Sequence, residues 1–98
     1  MSPDRACRFR ISEPLEALIR GLHPELKRKV RAALDGIRED PSAGKELRGD
    51  LAGLRSYRVG RFRVIYRVAP RSVIDLVAIG PRRGIYEDTF RLLRRDMS

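Results

Sequence analysis

Residues Arg55–Val68 read RSYRVGRFRVIYRV, and this stretch decides the fold. Tyr57, Val59, Phe62, Val64, Tyr66 and Val68 alternate with Ser56, Arg58, Arg63, Ile65 and Arg67, the period of two that marks a pair of half-buried strands. Gly60 can take a positive φ at the first central position of a type II′ turn, with Arg61 second. That turn predicts Val59 opposite Phe62 and Arg58 opposite Arg63. One face of the hairpin is then core, and the other carries several guanidinium groups close together. Such a face repels itself unless an anion or nearby acids compensate, and the stretch itself contains no acid. The alternative is that the arginines splay into water from a two-stranded edge.

Working outward, Ser72–Ile79 is apolar on both faces apart from Asp75, as an interior strand would be. Leu54–Val59, Phe62–Ala69 and Ser72–Ile79, separated by "GR" and "PR", form an antiparallel meander. Upstream, the turn-rich segment Pro41–Gly53 reads as a crossover. In "CRFRIS", Cys7, Phe9 and Ile11 alternate with Arg8 and Arg10, a first strand. Ser12 is a fitting N-cap for a short helix with Leu15, Leu18, Ile19 and Leu22 on one face, ending near Gly21–His23. Pro24 opens a second helix whose apolar stripe is Leu26, Val30, Ala33, Leu34 and Ile37. Its basic run Lys27–Arg31 is offset by Glu25, Asp35, Glu39 and Asp40 and reads as a solvated face. A last helix starts near Tyr86, with Ile85, Phe90, Leu93 and Met97 on one side. The predicted class is α+β in the order β-α-α-β-β-β-α, a mainly antiparallel sheet packed by an N-terminal helix pair and a C-terminal helix.

The length, 98 residues, suits one domain spanning 1–98. No apolar run is long enough to span a membrane and no apolar leader opens the chain, so a cytoplasmic protein is expected. Cys7 and His23 are the sole cysteine and histidine, which argues against a zinc site, and neither metal nor cofactor is expected. Net charge is +9, with surpluses of +2 in residues 1–50, +7 in 51–86 and 0 in 87–98. Concentrating the excess in the sheet segment makes a directed field that favours a polyanionic partner.

"GKELRGDLAGLRSYRVGRFRVIYRV" followed by "IDLVAIGPRRGIY" resembles the RelE/ParE superfamily of type II toxin–antitoxin toxins. The resemblance runs from about Phe9 to Leu93 and implies a RelE-like fold. It also implies a ribosome-dependent, metal-independent endoribonuclease, an mRNA interferase that cleaves by attack of a ribose 2′-OH. Arg63, Arg82 and Tyr86 fall on positions matching the family's catalytic arginines and tyrosine. Arg58, Arg61, Arg67 and Arg83 supply the remaining RNA-binding charge. Arginine suits a phosphorane because its fork binds phosphate oxygens bidentately and stays protonated. Tyr86 could stack on a base, orient the 2′-OH or act as a base among arginines. The sequence departs from the nuclease pattern at Leu54 and Ser56, where lysines are usual. The implied partners are a cognate acidic antitoxin, in a complex that can reach a higher oligomer, and the ribosome with its mRNA. Two other readings stay open: a ParE-like inhibitor of DNA gyrase without catalysis, and an inactive member that binds only its antitoxin.

Overall fold

The computed structural model describes residues 7–97, with side chains through residue 94. Strand β1 (Arg8–Ile11) leads into helices α1 (Glu13–Arg20) and α2 (Pro24–Glu39). Strands β2 (Lys45–Glu46), β3 (Arg55–Val59), β4 (Phe62–Ala69) and β5 (Val73–Pro81) follow, and helix α3 (Ile85–Met97) closes the chain. The sheet order is β1-β5-β4-β3-β2, with β1 parallel to β5 and every other pair antiparallel. This is the expected α+β arrangement, with one addition. Strand β2 has only two residues, inside the segment read as a crossover, and a single 3₁₀ turn (Gly49–Leu51) follows it.

Local signals set the helices. The Ser12 hydroxyl accepts from the Leu15 amide at 3.4 Å and Pro14 sits in the first turn of α1, where its missing N–H costs nothing. His23 caps α2 by accepting the Glu25 amide on Nδ1 at 3.3 Å. The inward faces are narrower than the apolar periodicity suggests: Leu15 and Ile19 are buried, whereas Leu18 is 46% exposed. Val68, expected in the core, is equally exposed. The apolar role expected of Met97 falls outside the described side chains.

The hairpin register is the predicted one, with Val59 opposite Phe62 and Arg58 opposite Arg63, and Gly60 takes φ +59°. The next turn is one residue longer than "PR". Ala69 pairs with Val73, leaving Pro70, Arg71 and Ser72 to reverse the chain, with Arg71 and Ser72 both at positive φ.

The sheet separates two cores. Val59, Val64, Tyr66, Ile74, Leu76 and Ile79 pack under α1 and α2 against Leu15, Ile19, Val30, Ala33 and Ile37. On the opposite face Leu54, Ile65 and Ala78 pack against Ile85 of α3, with Leu47, Leu51, Val77, Tyr86 and Leu93 around them. This corrects the expectation that the second hairpin face is an arginine surface alone: α3 covers its middle, and charge emerges only at its ends. A bulge shifts the phase with which β5 faces the two cores. Ile65 pairs with Ala78 but Tyr66 with Leu76, so Val77 is unpaired and the alternation changes phase there.

The crossover is fastened to the sheet from below. Tyr66, fully buried, donates its hydroxyl hydrogen to the Pro41 carbonyl at 2.7 Å and accepts the Gly44 amide at 2.9 Å. Burial pushes its phenol up, so it remains a donor at ordinary pH. The Arg55 guanidinium donates to the Gly44 carbonyl at 2.8 Å and to that of Ser42 at 3.3 Å. A Cβ on residue 44 would lie 2.6 Å from the Tyr66 hydroxyl oxygen, which explains the glycine there.

Candidate functional site

The hairpin tip collects most of the arginines singled out above. Arg58 and Arg63 face each other across β3 and β4, and Arg63 has Gly80 as its neighbour on β5. Gly80 carries no side chain, and a Cβ there would approach Ile85 Cδ1 to 2.9 Å, so the start of α3 sits directly on the sheet beside Arg63. The loop before α3 is tied to the hairpin turn, because the Arg82 amide donates to the Arg61 carbonyl at 2.9 Å. Arg58, Arg61, Arg82 and Arg83 are exposed and Arg63 is half-buried. Among the described residues none of these five forms an ion pair within 4.0 Å. Five cations at one end of a sheet without a carboxylate among them make a concentrated positive potential.

Tyr86 stands on the first turn of α3 and points back over the sheet. Its hydroxyl donates to Ser56 Oγ at 3.3 Å, and Ser56 is only 2% exposed. Tyr86 also borders two adjoining clefts. One, of about 540 Å³, runs along α3 past Arg48, Leu51, Glu87 and Phe90; the other, of about 620 Å³, is lined by Lys45, Glu46, Leu47 and Arg48.

Arg67 is placed elsewhere. Four residues from Arg63 along β4 it lies about 13 Å away, with buried Ile65 between them. Its Nη2 donates to Asp75 Oδ2 at 3.3 Å, and Arg10 grips the same carboxylate from β1 through Nε to Oδ1 and through Nη2 to Oδ2 at 2.9 Å. The register makes this row, since both Arg10 and Arg67 pair with Asp75 in the ladder. The Arg10 hydrogen bonds, helped by Arg67, hold the Asp75 carboxyl below the usual carboxylate range despite its burial. The hairpin's outer face therefore has an acid at its far end, supplied by β5 and invisible within the hairpin stretch itself.

Sequence reasoning missed Lys45. Strand β2 pairs with β3 so that Lys45 lies directly opposite Ser56, on the face that Tyr86 overhangs. The signal that could have found it is the "GKEL" segment read as a sheet edge rather than a turn. Among the described residues no group of three or more His, Cys, Asp or Glu side chains is placed to hold a metal ion. No helix there is long and apolar enough to cross a membrane.

The chain has a small five-stranded sheet with an N-terminal helix pair on one face and a C-terminal helix beside an arginine-rich hairpin on the other. Residues 10–89 match the family model described as the ParE-like toxin of type II bacterial toxin-antitoxin systems, and the chain belongs to that family within the RelE/ParE superfamily. It is thus a type II toxin–antitoxin toxin. No curated protein matches in sequence. Among solved structures, the toxin–antitoxin complex RelBE2 of Mycobacterium tuberculosis matches at TM-score 0.69 and 25% identity, covering 79% of this chain and 99% of that one. The archaeal RelE–RelB complex of Pyrococcus horikoshii matches at TM-score 0.64 and 26% identity, over 80% of this chain and 97% of that one. A mutant of the Escherichia coli toxin RelE in the free state matches at TM-score 0.74 and 16% identity over 95% and 99%, a likeness of fold alone.

Proposed function

We propose that the protein is a ribosome-dependent endoribonuclease that cleaves mRNA, and that it is held inactive by an acidic antitoxin covering the hairpin tip. The observation that carries this reading is the cluster Arg58, Arg61, Arg63, Arg82 and Arg83, left without acidic partners beside the Tyr86 hydroxyl. Structural elements without such a role rarely keep like charges this close, because cross-strand repulsion works against folding.

The groups present suit this reaction. The ribose 2′ oxygen attacks the adjacent phosphorus, the O2′–P bond forms, and the P–O5′ bond breaks. The products carry a 2′,3′-cyclic phosphate and a 5′-hydroxyl. Charge builds on the phosphorane oxygens, and preorganised cations at that point lower the barrier without reorganising. Arg63, half-buried between Arg58 and Gly80, is the clamp; Arg58 and Arg82 flank it, and Arg61 and Arg83 hold the neighbouring phosphates. Tyr86 stacks on a base or hydrogen-bonds the 2′-OH from the edge of the same site. Arg67, engaged with Asp75, adds to the field that draws in RNA rather than to the reacting phosphate.

One observation favours a second reading. Leu54 and Ser56, at the positions where nuclease members of the superfamily carry lysines, are buried under α3 and Tyr86. A ParE-like toxin that blocks DNA gyrase through protein contacts needs no such lysines. The test is to incubate the purified protein with programmed ribosomes and map the mRNA ends. Ends bearing 2′,3′-cyclic phosphate support the nuclease; intact mRNA together with inhibition of gyrase supercoiling establishes the second reading instead.

A further inference from the structure

The lysine that strand β3 lacks stands on the strand beside it. Lys45 is opposite Ser56 in the β2–β3 ladder, so the two Cβ atoms lie about 5 Å apart on one face. Ser56 Oγ accepts the Tyr86 hydroxyl at 3.3 Å, and Lys45 and Tyr86 line one cleft. Lys45, Ser56 and Tyr86 thus follow one another across β2, β3 and α3. The backbone under the amine is fixed on both sides. Tyr66 and Arg55 hold Gly44, and the Leu47 amide donates to the Leu54 carbonyl at 2.9 Å. The chain has 19 arginines and only three lysines, and the other two, Lys27 and Lys29, are on α2. Charge alone would be met by a further arginine. A group that must release a proton cannot be an arginine.

We propose that Lys45 is a catalytic residue, the general acid that protonates the 5′ leaving oxygen; the assignment rests on the nuclease reading above. As the O2′–P bond forms, the electron pair of the P–O5′ bond passes to O5′. That oxygen takes a proton from the Lys45 ammonium. The 2′ proton leaves to water and the neutral amine regains one from water, so the cycle closes with no net change in protons.

The alternative is that Lys45 only guards a sheet edge, where lysine discourages pairing with another chain. Two variants and two substrates separate these. Lys45→Arg keeps the edge charge and phosphate attraction but removes the transferable proton; Lys45→Met removes both. Each is assayed in single turnover on ribosome-bound mRNA, and on the same mRNA with sulfur in place of the bridging 5′ oxygen at the cut site. A thiolate leaves without needing a proton. Both variants should cleave the ordinary linkage about 10²-fold or more slowly, the scale of general acid catalysis. Lys45→Arg, which has lost only the proton, should cut the sulfur linkage within about threefold of the unmodified protein, and Lys45→Met should recover most of its own loss there. Wild-type rates for Lys45→Arg on the ordinary linkage, or a loss that persists on the sulfur linkage, overturn the assignment while leaving the nuclease intact. If the unmodified protein cuts neither linkage, the nuclease reading itself fails, and this assignment with it.

Discussion

Replacing Tyr66 with phenylalanine removes one oxygen from the interior and tests whether the crossover is pinned as described. The ring stays, so its place in the core under α1 and α2 is kept. What is lost is the acceptor for the buried Gly44 amide and the donor to the Pro41 carbonyl. An unsatisfied buried group costs about 1–3 kcal/mol, and Pro41, partly open to water, should recover some of its share. The expected loss is therefore about 2–4 kcal/mol, a large part of the roughly 5–15 kcal/mol that holds a domain together. For a chain of this size each 1 kcal/mol lowers the melting temperature by roughly 4–8 °C. Urea unfolding followed by circular dichroism at pH 7 reads the change directly. A loss below about 0.5 kcal/mol, the level of an indifferent surface change, would refute the pinning argument.

Gly44→Ala should destabilise through the same contact, because its Cβ would sit 2.6 Å from the phenol oxygen. Combined with Tyr66→Phe it should cost clearly less than the sum of the two, and strict additivity in a denaturation cycle would contradict the shared contact. Asp75 has its carboxyl pKa lowered, so the stability it lends is present above the unfolded value of about 3.9 and is lost as pH falls through the folded value. Asp75→Asn should therefore lower the urea midpoint at pH 7 and flatten its further fall between pH 5 and pH 3; an unchanged acid limb would count against the Arg10–Asp75–Arg67 row. Tyr86→Phe keeps the ring and loses the bond to Ser56. If the hydroxyl orients the 2′-OH, cleavage should slow by about 10-fold or more with ribosome affinity unchanged, and a wild-type rate would reduce Tyr86 to a stacking surface.

Much of this was legible in short-range patterns. The hairpin register followed from Gly60 and strict alternation, the helix starts from Ser12 and Pro24, and the arginine cluster from counting charge along the chain. What escaped depends on partners distant in sequence. A two-residue strand carries no periodicity, so β2 and with it Lys45 were hidden in a segment full of turn residues. Asp75 looked like an isolated acid in an apolar strand because its partners come from β1 and β4, 65 and 8 residues away. The bulge at Val77 leaves no mark in a strand apolar on both sides. Burial of Ile65 depends on where α3 lands, and the exposure of Leu18 and Val68 depends on how far the inward faces of α1 and the sheet reach, which periodicity alone does not carry.

If the arginines at the hairpin tip form the reacting-phosphate site, Arg63 is the residue whose loss should tell most. Single-turnover cleavage of ribosome-bound mRNA should be compared for the unmodified protein, Arg63→Ala and, as a control on the outer face of α2, Arg28→Ala. Removing one preorganised donor should slow Arg63→Ala by about 10² or more at saturating ribosomes while its melting temperature and the Arg28→Ala rate stay near those of the unmodified protein. An Arg63→Ala variant that is folded, bound to ribosomes and cleaving at the unmodified rate would contradict the account.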